Sequence, residues 1–298
     1  MKPFTLIWTI ELQDEGKLVR QFLKEREISK AALTDIKFGG GSITVNSNEM
    51  TVRYVLKKGD LLRVVYPPEM PSLGILKEDI PFEIVYEDDY LLVINKSAYM
   101  ATIPSREHPT GTLANAILHY YEVQGIACTI HIVNRLDRDT SGLLIVAKHR
   151  FTHHLFSKQQ KVASIKRRYE AFVHGHLFPE RGTIDAPIGR REDSIIAREV
   201  REDGQPAVTH YFVLTGYDEF THVSLKLETG RTHQIRVHLA YLAHPLLGDD
   251  LYGGKRNLMA RQALHSCELS FVHPISGENL TFTAGLPDDM KKVIEKEG

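Results

Sequence analysis

Cysteine is nearly missing from this sequence. Only Cys128 and Cys267 occur, with no CxxC pair. That excludes a disulfide framework and a thiolate zinc cluster, and it points to a reducing compartment. Both read as small buried hydrophobes. Long apolar runs are missing too. None approaches the roughly 18 residues of a membrane span. Met1-Lys2 leads only into the short mixed segment TLIWTI, which is no signal peptide. A cytoplasmic protein with no membrane partner is expected. Net charge is scarce: 37 Lys and Arg against 38 Asp and Glu leave −1. A globally basic nucleic-acid coat is excluded, so any such grip must come from local patches. Several chemical signatures are also missing. Gly39–Gly41 has no following Gly-Lys-Ser/Thr, so it reads as a helix-to-strand turn and not a phosphate cradle. His149/His153 and His233/His238 approach ligand spacing without HExxH, and no metal site is expected. No GxSxG elbow supports a serine hydrolase.

What is present is an ordinary apolar content of 42%, enough for a core without staples. The 298 residues allow one large domain or a large one with a small companion. Residues 1–67 read as the small unit. Leu18, Val19, Phe22, Leu23 and Ile28 outline a short amphipathic helix, and Ser29 is a fair N-cap for a second. ITV and TVRYV around Asn46–Asn48 suggest a hairpin, and LLRVVYP another strand. Residues 68–81, proline-rich and aperiodic, read as a linker. From 82 to 298 strands dominate. FEIVYEDDYLLVINK gives two, and GLLIVAKH, YEAFVHG, AVTHYFVLTGY, HVSLKLETG and LTFTAG give more. Helices are expected in TLANAILHYYEVQ, RFTHHLFSKQQKV and THQIRVHLAYLAH. The pattern predicts an α+β domain built on antiparallel sheet.

Three segments carry candidate chemistry. In NRLDRDTSG, residues 134–142, Asp137 sits between Arg135 and Arg138 on a loop at the entrance of a strand. A close arginine would lower its pKa by roughly 1–3 units. Two readings stand open: a structural ion pair, or a carboxylate held ionised as nucleophile or electrostatic stabiliser. In KQQKVASIKRRYEAFVHG, residues 158–175, Lys166, Arg167 and Arg168 crowd against Tyr169. Basic residues beside an aromatic suit phosphates and a stacked base. A solvated helix end followed by a core tyrosine is the plainer alternative. In LETGRTHQIRVHLAYLAHPLLGDDLYGG, residues 227–254, Thr232 is a credible N-cap. Arg231, His233, Arg236 and His238 then lie near a helix start that favours anions, or they form a charged helix face.

Together the three segments resemble the RluA-type pseudouridine synthases. NRLDRDTSGLLIVAK is similar to their HRLDxxTSG motif, KRRYEAFVHG to the second motif, and LETGRTHQIRVHLAYLAHPLLGD to the third. The resemblance runs over roughly residues 82–289. Residues 1–67 resemble, more loosely, a small α/β S4-like RNA-binding module, degenerate in having Ser29-Lys30 for Ser-Arg and an atypical glycine triplet. The resemblance implies isomerisation of uridine in RNA to pseudouridine without a cofactor. Asp137 would be the catalytic carboxylate, attacking ribose or base or assisting elimination to a glycal. Tyr169 would lie against the target base and accept a proton. Arg236 would pair with Asp137, and Ile235 would help floor the pocket. Arg135 would enter the RNA and hold the flipped nucleotide. Lys166, Arg167, Arg168 and Arg231 would contact RNA. Arg138 keeps a solvent-side reading. Asn134 stands where the family has His, and is read as support for the loop. A monomer is expected, acting on large-subunit ribosomal RNA first and transfer RNA second. A non-catalytic RNA-binding protein is the competing class.

Overall fold

A computed structural model of the chain describes residues 3–70 and 74–297. It is a mixed α/β molecule with mostly antiparallel sheet. The first four strands are β1 (Thr5–Thr9), β2 (Ser42–Val45), β3 (Asn48–Glu49) and β4 (Leu61–Val65), hydrogen-bonded in the order β1-β4-β2-β3. Helices α1 (Val19–Glu25) and α2 (Lys30–Phe38) pack on them. Ser29 caps α2, its Oγ accepting from Ala32 N at 3.1 Å. TLIWTI supplies an edge strand, β1. One expectation fails here: TVRYV is not a strand, because its carbonyls serve a helix end. Val52 and Tyr54 accept from Arg20 N and Val19 N at 3.0 Å, satisfying amides that α1 cannot pair internally.

The expected linker, 68–81, includes residues 71–73, which lie outside the described residues. Beyond it a second sheet is built from β5 (Glu83–Glu87), β6 (Leu91–Lys96), β7 (His131–Ile132), β8 (Ser141–Ala147), β9 (Lys166–His174) and β10 (Arg181–Asp185). A small hairpin, β11 (Ile188–Arg190) and β12 (Arg198–Val200), stands apart from it. The sheet is completed by β13 (Val208–Gly216), β14 (Phe220–Leu227), β15 (Leu264–Val272) and β16 (Asn279–Thr283). Its main path runs β10-β13-β14-β9-β15-β8-β6-β5. Central β15 pairs parallel with β8, the single parallel pair among the described residues, and it was absent from the sequence expectation. Its buried His265 and Ser266 break the apolar pattern that would have marked it.

Alternation along the strands sorts the core into two faces. Tyr169, Ala171 and Val173 of β9 and Leu144 and Val146 of β8 share one cluster with α3 (Leu113–Val123) and Leu136. Phe172, Leu143 and Ile145 point the other way, Leu143 and Ile145 joining Phe156 of α4 (Arg150–Lys161). The first face also holds Ile235 and Leu239 of α5 (Gln234–Tyr241), and Phe172 meets Met290 of α6 (Asp288–Glu297), a helix not expected from sequence. Helix α4 also meets the N-terminal sheet. Phe151 enters that sheet's core, Arg150 pairs with Asp35 at 2.6 Å, and Lys158 with Glu27 at 2.7 Å. Among the described residues no helix is long and apolar enough to cross a membrane.

Candidate active site

The loop between β7 and β8 carries Asp137 to the wall of an open cleft of about 1070 Å³. Buried side chains hold this loop by its backbone. Thr102 Oγ1 donates to Leu136 O at 2.6 Å. Arg261 Nη1 donates to Asp139 O at 2.9 Å. The Lys96 ammonium donates to the carbonyls of Ser97, Met100 and Arg138 at 2.8, 2.8 and 3.1 Å. Burial pushes the Lys96 pKa down to about 7, against the pull of Asp137 and Asp139. At the loop's start Asn134 Oδ1 accepts from Ile145 N at 2.9 Å, while its buried Nδ2 has no partner among the described residues. At its end Gly142 has φ +110°, and a Cβ there would stand 2.3 Å from Ser266 O. Only glycine brings β8 this close to β15.

Arg236 projects from α5 and is buried behind Asp137. Its Nε and Nη2 fork onto Asp249 at 2.7 and 2.8 Å, and Nη1 reaches Asp137 Oδ2 at 3.0 Å. Burial opposes the guanidinium's charge, but hydrogen bonds and charges from Asp249 and Asp137 outweigh it and raise its pKa. His233 Nε2 lies 3.8 Å from the same Asp137 oxygen. Among the described residues, the polar contacts of Asp137 side-chain oxygens fall on Oδ2, so Oδ1 is the atom left for a ligand. Tyr169 lines the cleft and is buried, and burial pushes its hydroxyl up, so the resting side chain is a neutral phenol.

The other expected residues divide. Arg135 and Arg231 are exposed and line the cleft, with Arg231 Nε donating to Pro206 O at 2.9 Å. Ile235 is buried in the cluster that includes Tyr169. Of the three neighbouring cations on β9 only Arg167 lines the cleft. Lys166 is exposed and donates to Ala163 O at 2.8 Å. Strand alternation turns Arg168 from the face of Arg167 and Tyr169, and it pairs with Glu268 at 2.9 Å and Glu170 at 3.3 Å. The expected N-cap Thr232 is corrected. The residue before α5 is His233 in the left-handed region, φ 58°, with no side-chain cap. Gln234 Oε1 instead accepts from Arg231 N at 3.0 Å and from the Thr229 hydroxyl at 2.7 Å. Sequence reasoning assigned nothing to Lys96, Asp249, Tyr252 or Arg261. Asp249 and Tyr252 stood within the third segment, where GDDLY offered a signal; Lys96 and Arg261 stood outside all three.

The comparisons with known proteins converge on one family. The family model for RNA pseudouridylate synthase matches residues 90–241. An uncharacterized RNA pseudouridine synthase of Bacillus subtilis, YjbO, is 56% identical over 94% of this chain and 99% of its own length. Ribosomal large subunit pseudouridine synthase D of Vibrio parahaemolyticus is 44% identical over 73% of this chain and 71% of its own. Among solved structures, human RNA pseudouridylate synthase domain containing 1 superposes with a TM-score of 0.59 at 25% identity, covering 74% of this chain and 95% of that one. With its sheet, its three motifs and its Asp137 cleft, the chain belongs to the RNA pseudouridine synthase family.

Proposed function

We propose that this chain isomerises uridines of large-subunit ribosomal RNA, with Asp137 as the catalytic carboxylate. One observation carries the assignment: Arg236 holds Asp137 Oδ2 at 3.0 Å while the cleft opens in front of the carboxylate. The reaction breaks the C1′–N1 bond, turns the uracil and joins C5 to C1′. An anchored carboxylate supports the developing positive charge on the sugar, as in glycosidases. Oδ1 attacks the ribose or base, or assists elimination to a glycal; both routes need the same placement. Extruding the uridine costs a few kcal/mol. Arg135, on the exposed side of the loop, is placed to hold it out, and Arg167 and Arg231 to meet phosphates. Tyr169 packs against the uracil; its neutral phenol suits that contact better than a resting base. The ribosomal substrate is supported by the 44% identical relative, whose name gives that role. Residues 1–67 act as an S4-like RNA-binding module, and the protein works as a cytoplasmic monomer.

Ribosomal RNA tritiated at uridine C5, taken from cells lacking the protein, tests this, because C5 loses that hydrogen. Release is expected from large-subunit RNA, and Asp137→Asn should lower it by at least about 10⁴-fold with RNA binding kept. Release from transfer RNA alone would move the substrate. An active Asp137→Asn would remove the catalytic assignment.

A further inference from the structure

His233 and Tyr252 belong to no role assigned above, yet they join the cleft's rim to its carboxylate. The Tyr252 Oη accepts the backbone N–H of Arg198 at 2.9 Å. Its own hydrogen is therefore available to His233 Nδ1, 2.7 Å away. Burial lowers the pKa of His233, with Asp137 pulling the other way, so the ring is neutral. A neutral imidazole that accepts at Nδ1 must carry its hydrogen on Nε2. That Nε2 faces Asp137 Oδ2 at 3.8 Å, longer than a hydrogen bond. Catalytic contacts of this kind tighten when a substrate seats.

The other end of the chain of contacts is on the RNA side. Arg198 belongs to β12, and its side chain lines the cleft. The β11–β12 hairpin also carries Ile195, exposed at 80%, on the loop joining its strands. The Tyr252 ring lies under the Arg236 guanidinium, 5.0 Å from its carbon to the ring centroid. One phenol thus touches the hairpin, the imidazole and the arginine that anchors Asp137.

We infer that Tyr252 and His233 are positioning residues. They fix the Nε2–H tautomer beside Asp137 and couple the seat of the 188–200 hairpin on RNA to the aim of the carboxylate. The coupling rests on the proposed role of Asp137; the tautomer does not. Arg198 contributes its backbone amide, so the link reports where the hairpin stands. RNA that presses on the hairpin moves the amide, the phenol and the imidazole together. The 3.8 Å gap then closes onto Oδ2, which leaves Oδ1 as the reacting oxygen.

Three measurements on the full chain test this. Under single-turnover conditions with saturating protein, Tyr252→Phe should slow tritium release about ten- to a hundredfold, the scale of a misplaced reacting group. Its affinity for the same RNA, by filter binding, should stay within about twofold, since no RNA contact is removed. His233→Gln, which keeps an N–H donor, should retain more activity than His233→Asn. Asparagine tolerates the left-handed backbone but is too short to reach Oδ2. Nitrogen-15 NMR, with the His233 signal identified by its loss in the Gln variant, should show hydrogen on Nε2 in the wild type and a mixed tautomer in Tyr252→Phe. An unchanged rate in Tyr252→Phe, or a rate loss matched by lost RNA affinity, overturns the coupling. Hydrogen on Nδ1 in the wild type overturns the tautomer whatever the activity. If Asp137→Asn remains active, the catalytic assignment fails, and the coupling fails with it, while the tautomer still stands or falls on the NMR result.

Discussion

Two pairs of arginines treat the Asp137 loop in opposite ways. Arg236 and Arg261 are buried, and each is forked by Nε and Nη2 onto one aspartate, Asp249 and Asp289. Each then spends Nη1 on the Asp137 loop, Arg236 on the Asp137 carboxylate and Arg261 on the Asp139 carbonyl. Arg135 and Arg231 are exposed at the cleft, where they pair with no carboxylate among the described residues. The first pair is fully committed before RNA arrives and sets geometry. The second keeps its donors open to water at the cleft. A guanidinium's rigid fork serves either purpose, and burial decides which.

The comparison breaks most visibly at the aspartates. Asp249→Ala strands the Arg236 charge in a dry site and should cost about 3–5 kcal/mol of stability. Urea unfolding at neutral pH measures it, and activity should fall with the aim of Asp137. Asp289→Ala should cost clearly less, because its side chain is 42% exposed and water can replace it. Equal costs would show that the fork alone, and not burial, separates the two.

Lys96, on the same buried side, should show itself through pH. Its folded pKa of about 7 lies below the unfolded 10.5. Between those values the unfolded chain binds a proton that the folded one does not, so stability from this group rises with pH. It is fully present above 10.5 and is lost as pH falls through about 7. The stability gap between wild type and Lys96→Met should widen from pH 7 to 9 by up to about 1.4 kcal/mol per unit. A flat gap would mean the ammonium keeps its charge in place. The smallest effect belongs to the open pair. Arg231→Ala should weaken RNA binding and reduce the slope of log K against log salt by about 1. An unchanged slope would remove Arg231 from the phosphate side.

The sequence showed what repeats locally and what is stored in contiguous motifs. The continuous apolar run of GLLIVAKH and the alternation of HVSLKLETG marked strands, and Ser29 marked a helix start, because each signal spans a few residues. What escaped depends on partners far along the chain. TVRYV has strand composition, but its carbonyls are taken by α1. β15 is central, yet His265 and Ser266 are polar and buried because they bond to Ser141 and Leu143 across the sheet. Arg168 was read with its neighbours as one cationic patch, although a strand turns alternate residues apart. Lys96 gave no sign, since its three acceptors are backbone carbonyls that no side-chain pattern announces.

The packing of Gly142 onto Ser266 also has a bearing on time. Strand β8 meets its parallel partner only across a separation of 124 residues, measured from Ser141 to His265. Contacts so distant form late in folding, because the chain between them must first be closed into a loop. During synthesis the ribosome releases Asp137, Tyr169 and Arg236 well before Ser266. The Asp137 loop therefore gains its β15 backstop only after all three motifs have been made. A nascent chain can thus carry all three motifs before β15 stands behind the Asp137 loop.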